Sequence, residues 1–251
     1  MIPEPVKSRF RSLLSKGFVL SVLEVPGCEL RGYREFDFRC MDFRLETPSP
    51  MAGFEAAFAY RTEGKVYNDL LGELDEESVF YDVGSNIGFY TCIGAFKAGK
   101  TIAFDPNPLA VEEVEKNLEI NNLAQNVRVV NAALSNEEGK CSFTERNTLS
   151  GRVRVVEGSD ADMLRADTEV EDAEWPSPDI VKIDVEGHEK QVIEGFENIL
   201  DQVKVFYVEC TGNKKEEIER FLGDKGFESE TLQHRFDSVT HVKFKRPEPE
   251  Q

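Results

Sequence analysis

From Val79 onward the chain alternates short β-branched or aromatic runs with helical stretches, and this rhythm limits the fold more than any single motif does. The runs are Val79 to Tyr81, Thr101 to Phe104, Val127 to Val130, Ile180 to Ile183 and Val203 to Val208. Each has the length and composition of a strand buried on both faces. Between them lie four helix candidates: Asn86 to Ala98, Pro108 to Asn121, Gly187 to Leu200 and Lys214 to Leu222. The second begins at Asn107-Pro108, a capping residue followed by proline at the first helical position, and carries Leu109, Val111, Val114, Leu118 and Ile120 at mostly helical spacing. Strands separated by helices pair in parallel through crossovers. The expected architecture is therefore α/β, a mainly parallel sheet with helices on both faces. In such folds ligands bind at the carboxyl ends of the strands.

Two segments break the rhythm. Glu138 to Phe143 followed by Arg152 to Val156 predicts an inserted hairpin or a pair of short strands, and the acidic, proline-containing stretch Asp160 to Pro178 predicts an irregular surface loop. Phe227 to Leu232 and His241 to Lys245 predict two last strands that close the sheet. Residues 1–75 lack a simple repeating pattern. The expected division is an N-terminal extension contributing to the substrate side over 1–75, the main domain over 76–246 and a polar tail over 247–251.

Composition excludes several classes. Among 251 residues, 48 are acidic and 30 basic, for a net charge of −18, so most of the surface repels phosphate backbones and a nucleic-acid partner is not expected. Much of that charge reads as a solubility device, as in a protein from a salt-loving source. Five widely spaced cysteines without a CxxC pair suggest neither a zinc site nor a disulfide scaffold. No apolar run approaches the roughly 20 residues of a membrane span, and the stretch Phe18 to Leu23 is too short for a span or a signal peptide. A cytoplasmic protein is expected.

The densest chemical signal is the turn Asp82-Val83-Gly84-Ser85-Asn86-Ile87-Gly88, where the first run meets a helix. It reads DxGxxxG and departs from the GxGxxG of dinucleotide enzymes. The difference is chemical. A pyrophosphate wants bare amides at a helix N-terminus, whereas a carboxylate at Asp82 repels phosphate and suits a cationic ligand. S-adenosylmethionine, with an ammonium and a sulfonium, is such a ligand, and Gly84 and Gly88 allow close backbone approach. Asp105 follows 21 residues after Gly84 and ends the second run, where a carboxylate can accept hydrogen bonds from both ribose hydroxyls. The alternative for Asp105 is a turn-former in DPNP, and for Asp82 a carboxylate bonded to loop amides. Asn131 and Ala132, after the third run, fall beside the expected adenine edge, with Asn131 either bonding the base or simply closing the strand. The expected cofactor set is Asp82, Gly84, Ser85, Asn86, Gly88, Asp105, Asn131 and Ala132.

A second cluster, Lys182-Ile183-Asp184-Val185-Glu186-Gly187-His188-Glu189, ends the fourth run. Asp184 and Glu186 alternate onto one side and His188 follows. A hydroxyl attacking a methyl sulfonium must lose its proton, and Asp184, Glu186 or His188 at hydrogen-bonding distance can take it. Glu189 reads instead as an acidic residue favouring a helix N-terminus. Glu209, closing the fifth run, either lines the substrate pocket or caps the strand. Asp184, Glu186 and Glu209 can also be imagined around a magnesium ion, but no spacing demands it, and no metal is expected.

These stretches resemble the FkbM family of S-adenosylmethionine-dependent methyltransferases: FYDVGSNIGFYT at Phe80 to Thr91, AFDPNP at Ala103 to Pro108, NAALSNEEG at Asn131 to Gly139, DIVKIDVEGHEKQVIEG at Asp179 to Gly195, and the strand ending in Glu209. The resemblance covers about half the chain. It implies a class I methyltransferase Rossmann-like fold with seven strands, the last antiparallel, and methyl transfer to a hydroxyl on a sugar or other small metabolite. One departure is Asp105, where the family more often carries glutamate. Arg31, Arg34, Arg39 and Arg44 among aromatic residues form a basic patch in an acidic chain. Arg39 and Arg44 are candidates for holding an acidic or carrier-linked glycan, against the alternative of two amphipathic edge strands. The rival functions are a non-catalytic cofactor-binding module and an NAD-dependent oxidoreductase; the DxGxxxG turn argues against the second.

Overall fold

The computed structural model describes residues 33–38, 41–46, 59–142, 156–157, 161–172, 175–185, 187–212, 214–235 and 239–247. In chain order, the described elements are β1 (Tyr33–Phe38), β2 (Met41–Glu46), α1 (Gly64–Glu73), β3 (Val79–Val83), α2 (Phe89–Lys97), β4 (Lys100–Phe104), α3 (Pro108–Ile120), β5 (Val127–Val130), β6 (Ala132–Leu134), β7 (Gly139–Ser142), β8 (Val156–Glu157), β9 (Ala161–Leu164), α4 (Ala166–Glu171), β10 (Ile180–Ile183), α5 (Glu189–Glu194), β11 (Val205–Thr211), α6 (Lys214–Asp224), β12 (Glu228–Arg235) and β13 (Val239–Lys245).

The main sheet has seven strands in the order β12-β13-β11-β10-β3-β4-β5. β5, β4, β3, β10 and β11 run parallel, while β13 runs antiparallel between β11 and β12. The parallel sheet and its antiparallel last strand are as expected. Strand order reverses at β3, whose neighbours are β4 and β10, so the crevice at its carboxyl end is the topological switch point.

The two faces differ in chemistry. One carries Tyr81, Phe104, Val181, Ile183, Phe206 and Val208 against Trp175 and Phe196, an all-apolar core. Rings of Tyr81 and Trp175 lie tilted on Phe104 with centroids 5.2 and 5.0 Å away. Burying each such side chain contributes about 1.5–3 kcal/mol. The other face, under α1 and α2, mixes Phe80, Ile180, Val205 and Tyr207 with buried charge.

Several expectations changed. Asp160 to Pro178 is not an irregular loop throughout: it contains β9 and α4, and β9 joins β6, β7 and β8 in a separate four-stranded sheet. Its acidic composition hid the Ala161, Met163 and Ala166 side chains that bury there. Residues 64–73, in the stretch without a simple pattern, form α1, which buries Val66 and Leu70. In α3 the helix is rotated from the expected stripe. Ala110, Val114 and Leu118 are buried with Glu113 and Asn117, while Leu109 and Ile120 are exposed. Asn117 turns inward because it ties two backbones: its Nδ2 donates to the Ile87 carbonyl at 2.8 Å and its Oδ1 accepts from Glu46 N at 2.5 Å. Asn107 caps the helix as expected, accepting from Leu109 N at 3.1 Å, with Pro108 in the first turn.

Candidate active site

The glycine turn leaves β3 and is fastened to the end of β4, where the Phe104 carbonyl accepts from Gly84 N at 2.9 Å and Ser85 N at 3.1 Å. Gly84 has φ +84°, and a Cβ there would lie 2.2 Å from the Asp184 carbonyl oxygen. The glycine is therefore required by the close approach of β10 itself, whatever a ligand adds. Asn86 also adopts a left-handed φ of +50°, which asparagine tolerates better than most residues. Gly88, at φ +88°, opens α2.

Asp82 is 2 % exposed, and Thr91 Oγ1 donates to it at 2.6 Å. Burial pushes its pKa up to about 6, against the opposing pull of Thr91 and Lys182. Asp105 is also buried and is pushed up to about 6 by burial, although it accepts backbone N–H bonds from Asn107 and Asn86, each at 2.9 Å. Asp105 thus shapes the turn, and each carboxylate oxygen retains a lone pair for a ribose hydroxyl. Asn131 donates through Nδ2 to the Asp105 carbonyl at 3.0 Å, so that amide braces the β4 end, and Ala132 beside it is buried. The Ser85 hydroxyl is buried with no hydrogen-bond partner.

Among the expected proton acceptors, Asp184 accepts from Lys182 Nζ at 3.1 Å, its side chain about one-third exposed. His188 instead shares a 2.9 Å hydrogen bond with the Ser135 hydroxyl beyond β6, and burial, then Lys214, lowers its pKa. It is largely neutral near pH 7, with its recorded partner on a different element from that of Asp184. Glu186 and Arg39 lie outside the described residues, as does the side chain of Arg44. Glu189 is fully buried, accepting from Gly187 N at 3.0 Å and Thr211 Oγ1 at 3.1 Å, so it locks the loop after β10 to the end of β11.

Sequence reasoning missed a buried polar seam on the α1 and α2 side. Lys182 is fully buried, with Nζ 4.6 Å from the Tyr90 ring centroid. Burial pulls its pKa down, yet Asp184, Glu63, Glu209 and Asp82 together hold it above the ordinary lysine value. Tyr90 donates to Glu63 Oε2 at 2.7 Å, and burial and that carboxylate raise its phenol well above the usual range. His241 Nε2 lies 3.4 Å from Glu209 Oε2 and 3.9 Å from Glu63 Oε1. The seam's one sequence signal was the alternation of Glu209, at a strand end, with apolar neighbours; Glu63 and His241 sit in stretches with no motif.

A buried carboxyl with an elevated pKa, a second carboxyl at the next strand end and an unsatisfied hydroxyl between them fit a ligand with a cationic group and a ribose. The strand order, with its antiparallel last strand, is that of the class I methyltransferase fold. The Methyltransferase FkbM domain matches residues 82–229, and the chain belongs to that family. It is a methyltransferase, which implies S-adenosylmethionine as its cofactor. The chain is 34% identical over 174 residues to hexuronic acid methyltransferase AglP of Haloferax volcanii, spanning 68% of this chain and 72% of the relative. It is 25% identical over 218 residues to methyltransferase sdnD of Sordaria araneosa, spanning 69% and 83%. Among solved structures, it superposes on SMU.1697c of Streptococcus mutans in complex with SAH with a TM-score of 0.51 at 14% identity, covering 74% of this chain and 98% of that one. It superposes on methyltransferase FkbM of Methylobacillus flagellatus with a TM-score of 0.51 at 11% identity, covering 76% and 53%. The oxidoreductase and non-catalytic alternatives are not favoured. Among the described residues, no helix is long and apolar enough to cross a membrane.

Proposed function

We propose that the enzyme methylates an oxygen of an acidic sugar, a hexuronic acid residue on a glycan, with Asp184 as the proton acceptor. The supporting observation is the position of Asp184. It directly follows β10 beside the glycine turn, partly exposed and paired to Lys182. The relative acting on hexuronic acid supports the substrate class.

Asp82, Gly84, Ser85, Asn86, Gly88 and Asp105 would hold the cofactor, with Asp105 toward the ribose, Asp82 toward the cationic methionine portion, and Asn131 and Ala132 beside the base. The cofactor supplies an electrophilic methyl group. Asp184 would accept the proton of the acceptor hydroxyl as that oxygen takes the methyl group from the sulfonium sulfur and leaves a neutral thioether, and Lys182 pairs with the Asp184 carboxylate. Glu186 serves as a second acceptor in the same loop. Glu209 lines the acceptor side, Arg39 and Arg44 hold the sugar carboxylate, and His188 orients the loop from the Ser135 side.

The test is methyl transfer to glycans that differ only in carrying a glucuronic acid or a glucose residue. Transfer to the acidic glycan, with Asp184→Asn lowering kcat at least about 100-fold while S-adenosylhomocysteine binding is retained, is the expected outcome. Equal transfer to both glycans would end the substrate reading. A product methyl released by mild alkali would be a carboxylate ester, whose oxygen needs no deprotonation, and would remove the role given to Asp184.

A further inference from the structure

Glu63 precedes α1, Glu209 lies near the end of β11 and His241 stands directly across from it on β13. One ligand atom from each, a carboxylate oxygen or an imidazole nitrogen, falls within 4.8 Å of the others. The His241 Nε2 separations of 3.4 and 3.9 Å suit ligands about 2.1 Å from a common centre, which are about 3.4 Å apart at a tetrahedral angle. The Glu63 carboxylate is also oriented for it: Tyr90 donates to Oε2, and Oε1 is the oxygen on the His241 side. Such an outer hydrogen bond fixes a ligand's direction.

Burial supports the geometry. The side chains of Glu63, His241 and Glu209 are only 4%, 2% and 12% exposed, so an ion among the three ligand atoms would be held largely away from water.

We infer that Glu63, Glu209 and His241 form a binding site for a divalent metal ion of the manganese or zinc type. Two carboxylate oxygens with one imidazole match that class; a soft, thiolate-selective ion has no ligand here. The Asp184, Glu186 and Glu209 grouping considered from sequence is a different set. The ion holds Glu209 at the acceptor edge. It takes no part in the methyl-transfer step, so the inference does not depend on the substrate proposed above.

The experiment is calorimetric titration of the chelator-treated full chain with Mn²⁺ and separately with Zn²⁺, with S-adenosylhomocysteine binding measured on the same samples. One ion bound per chain is expected. His241→Gln and Glu209→Gln should each weaken binding by more than about 100-fold, and Tyr90→Phe by about 10- to 100-fold. Asp162→Asn, in the four-stranded sheet, should leave it unchanged. No saturable binding of either ion, or binding that survives both glutamine variants, overturns the site. S-adenosylhomocysteine binding that persists without metal binding rejects the metal alone; metal binding without the nucleoside rejects the cofactor reading. Folding of the variants is checked by their circular dichroism, and an unfolded His241→Gln leaves the isosteric Glu209→Gln to decide.

Discussion

Replacing Asp82 with Asn should make the ligand-free enzyme more stable and its cofactor binding weaker. The folded pKa of Asp82 is pushed up to about 6 by burial, from an ordinary aspartate value of 3.8. A carboxyl whose pKa rises on folding binds its proton more tightly in the native state. Its stabilising contribution is complete below the unfolded value and is lost as pH climbs through the folded one, here between about pH 4 and 6. A difference of about two pH units corresponds to about 3 kcal/mol. At pH 7 the native state carries that cost, and an amide, which does not ionise and still accepts from Thr91 Oγ1, escapes it. For a chain of this size, about 3 kcal/mol corresponds to a Tm rise of about 6–12 °C. The same substitution removes a charge-assisted contact to a cationic ligand, about 1.5–3 kcal/mol, or about 10- to 150-fold in affinity. The assay is thermal unfolding from pH 4 to 8 beside calorimetry with S-adenosylmethionine. Wild-type Tm should fall between pH 4 and 6, and the variant's should fall less, since Asp105 contributes a similar slope. A variant with unchanged affinity and the wild-type pH dependence would refute the assignment of Asp82.

Gly84→Ala should destabilise the fold by about 2–5 kcal/mol in denaturant titration, because the left-handed backbone costs about 1–2 kcal/mol and the methyl meets the Asp184 carbonyl, a backbone atom that has little room to move. A change below about 0.5 kcal/mol would mean that β10 and the turn are not packed as described. Lys182→Met keeps the stem's packing but strips the carboxyls of their shared cation, for an expected loss of about 3–5 kcal/mol, most evident above pH 6 where Asp82 is ionised. Unfolding titrations at pH 5 and 8 check this, and equal losses at both would contradict the coupling.

How much was legible follows from the physics of each element. The parallel strands were readable because strands of a covered sheet are mostly β-branched or aromatic at successive positions, as in Val205 to Val208, even where a single buried charge such as Lys182 interrupts the run and although β5 is only partly buried. The turn after β3 was readable because left-handed positions favour glycine or asparagine, and the sequence supplies Gly84, Asn86 and Gly88. β9 and α4 were hidden because each is short and only Ala161, Met163 and Ala166 mark the buried side. Arrangement across elements was hidden for a different reason. Glu63, Tyr90, Lys182, Glu209 and His241 come from five separate places in the chain, and no local spacing relates a residue before α1 to one on β13.

That dispersion makes the geometry of the seam depend on how α1 is seated. Lys243 donates to Asp69 at 2.6 Å and Glu73 at 2.8 Å, Lys245 donates to both oxygens of Glu73 at 2.9 Å, and Tyr207 donates to Asp69 at 2.5 Å. These contacts join α1 to the two strands that carry Glu209 and His241. They are half-buried, so each pair contributes more than the 0–1 kcal/mol of an exposed ion pair while salt still screens part of it. Lys243→Met should therefore cost about 1–3 kcal/mol in unfolding titrations, and it should also loosen the seating of Glu63. Loss of stability with an intact Glu63 site, read as unchanged Mn²⁺ affinity, would show that Val66, Leu70 and the remaining Tyr207 and Lys245 contacts hold α1 in register without Lys243. Loss of both would show that an ionic contact at one end of the helix sets the position of a carboxylate at the other, which is how a segment outside the motif-bearing core comes to shape the site.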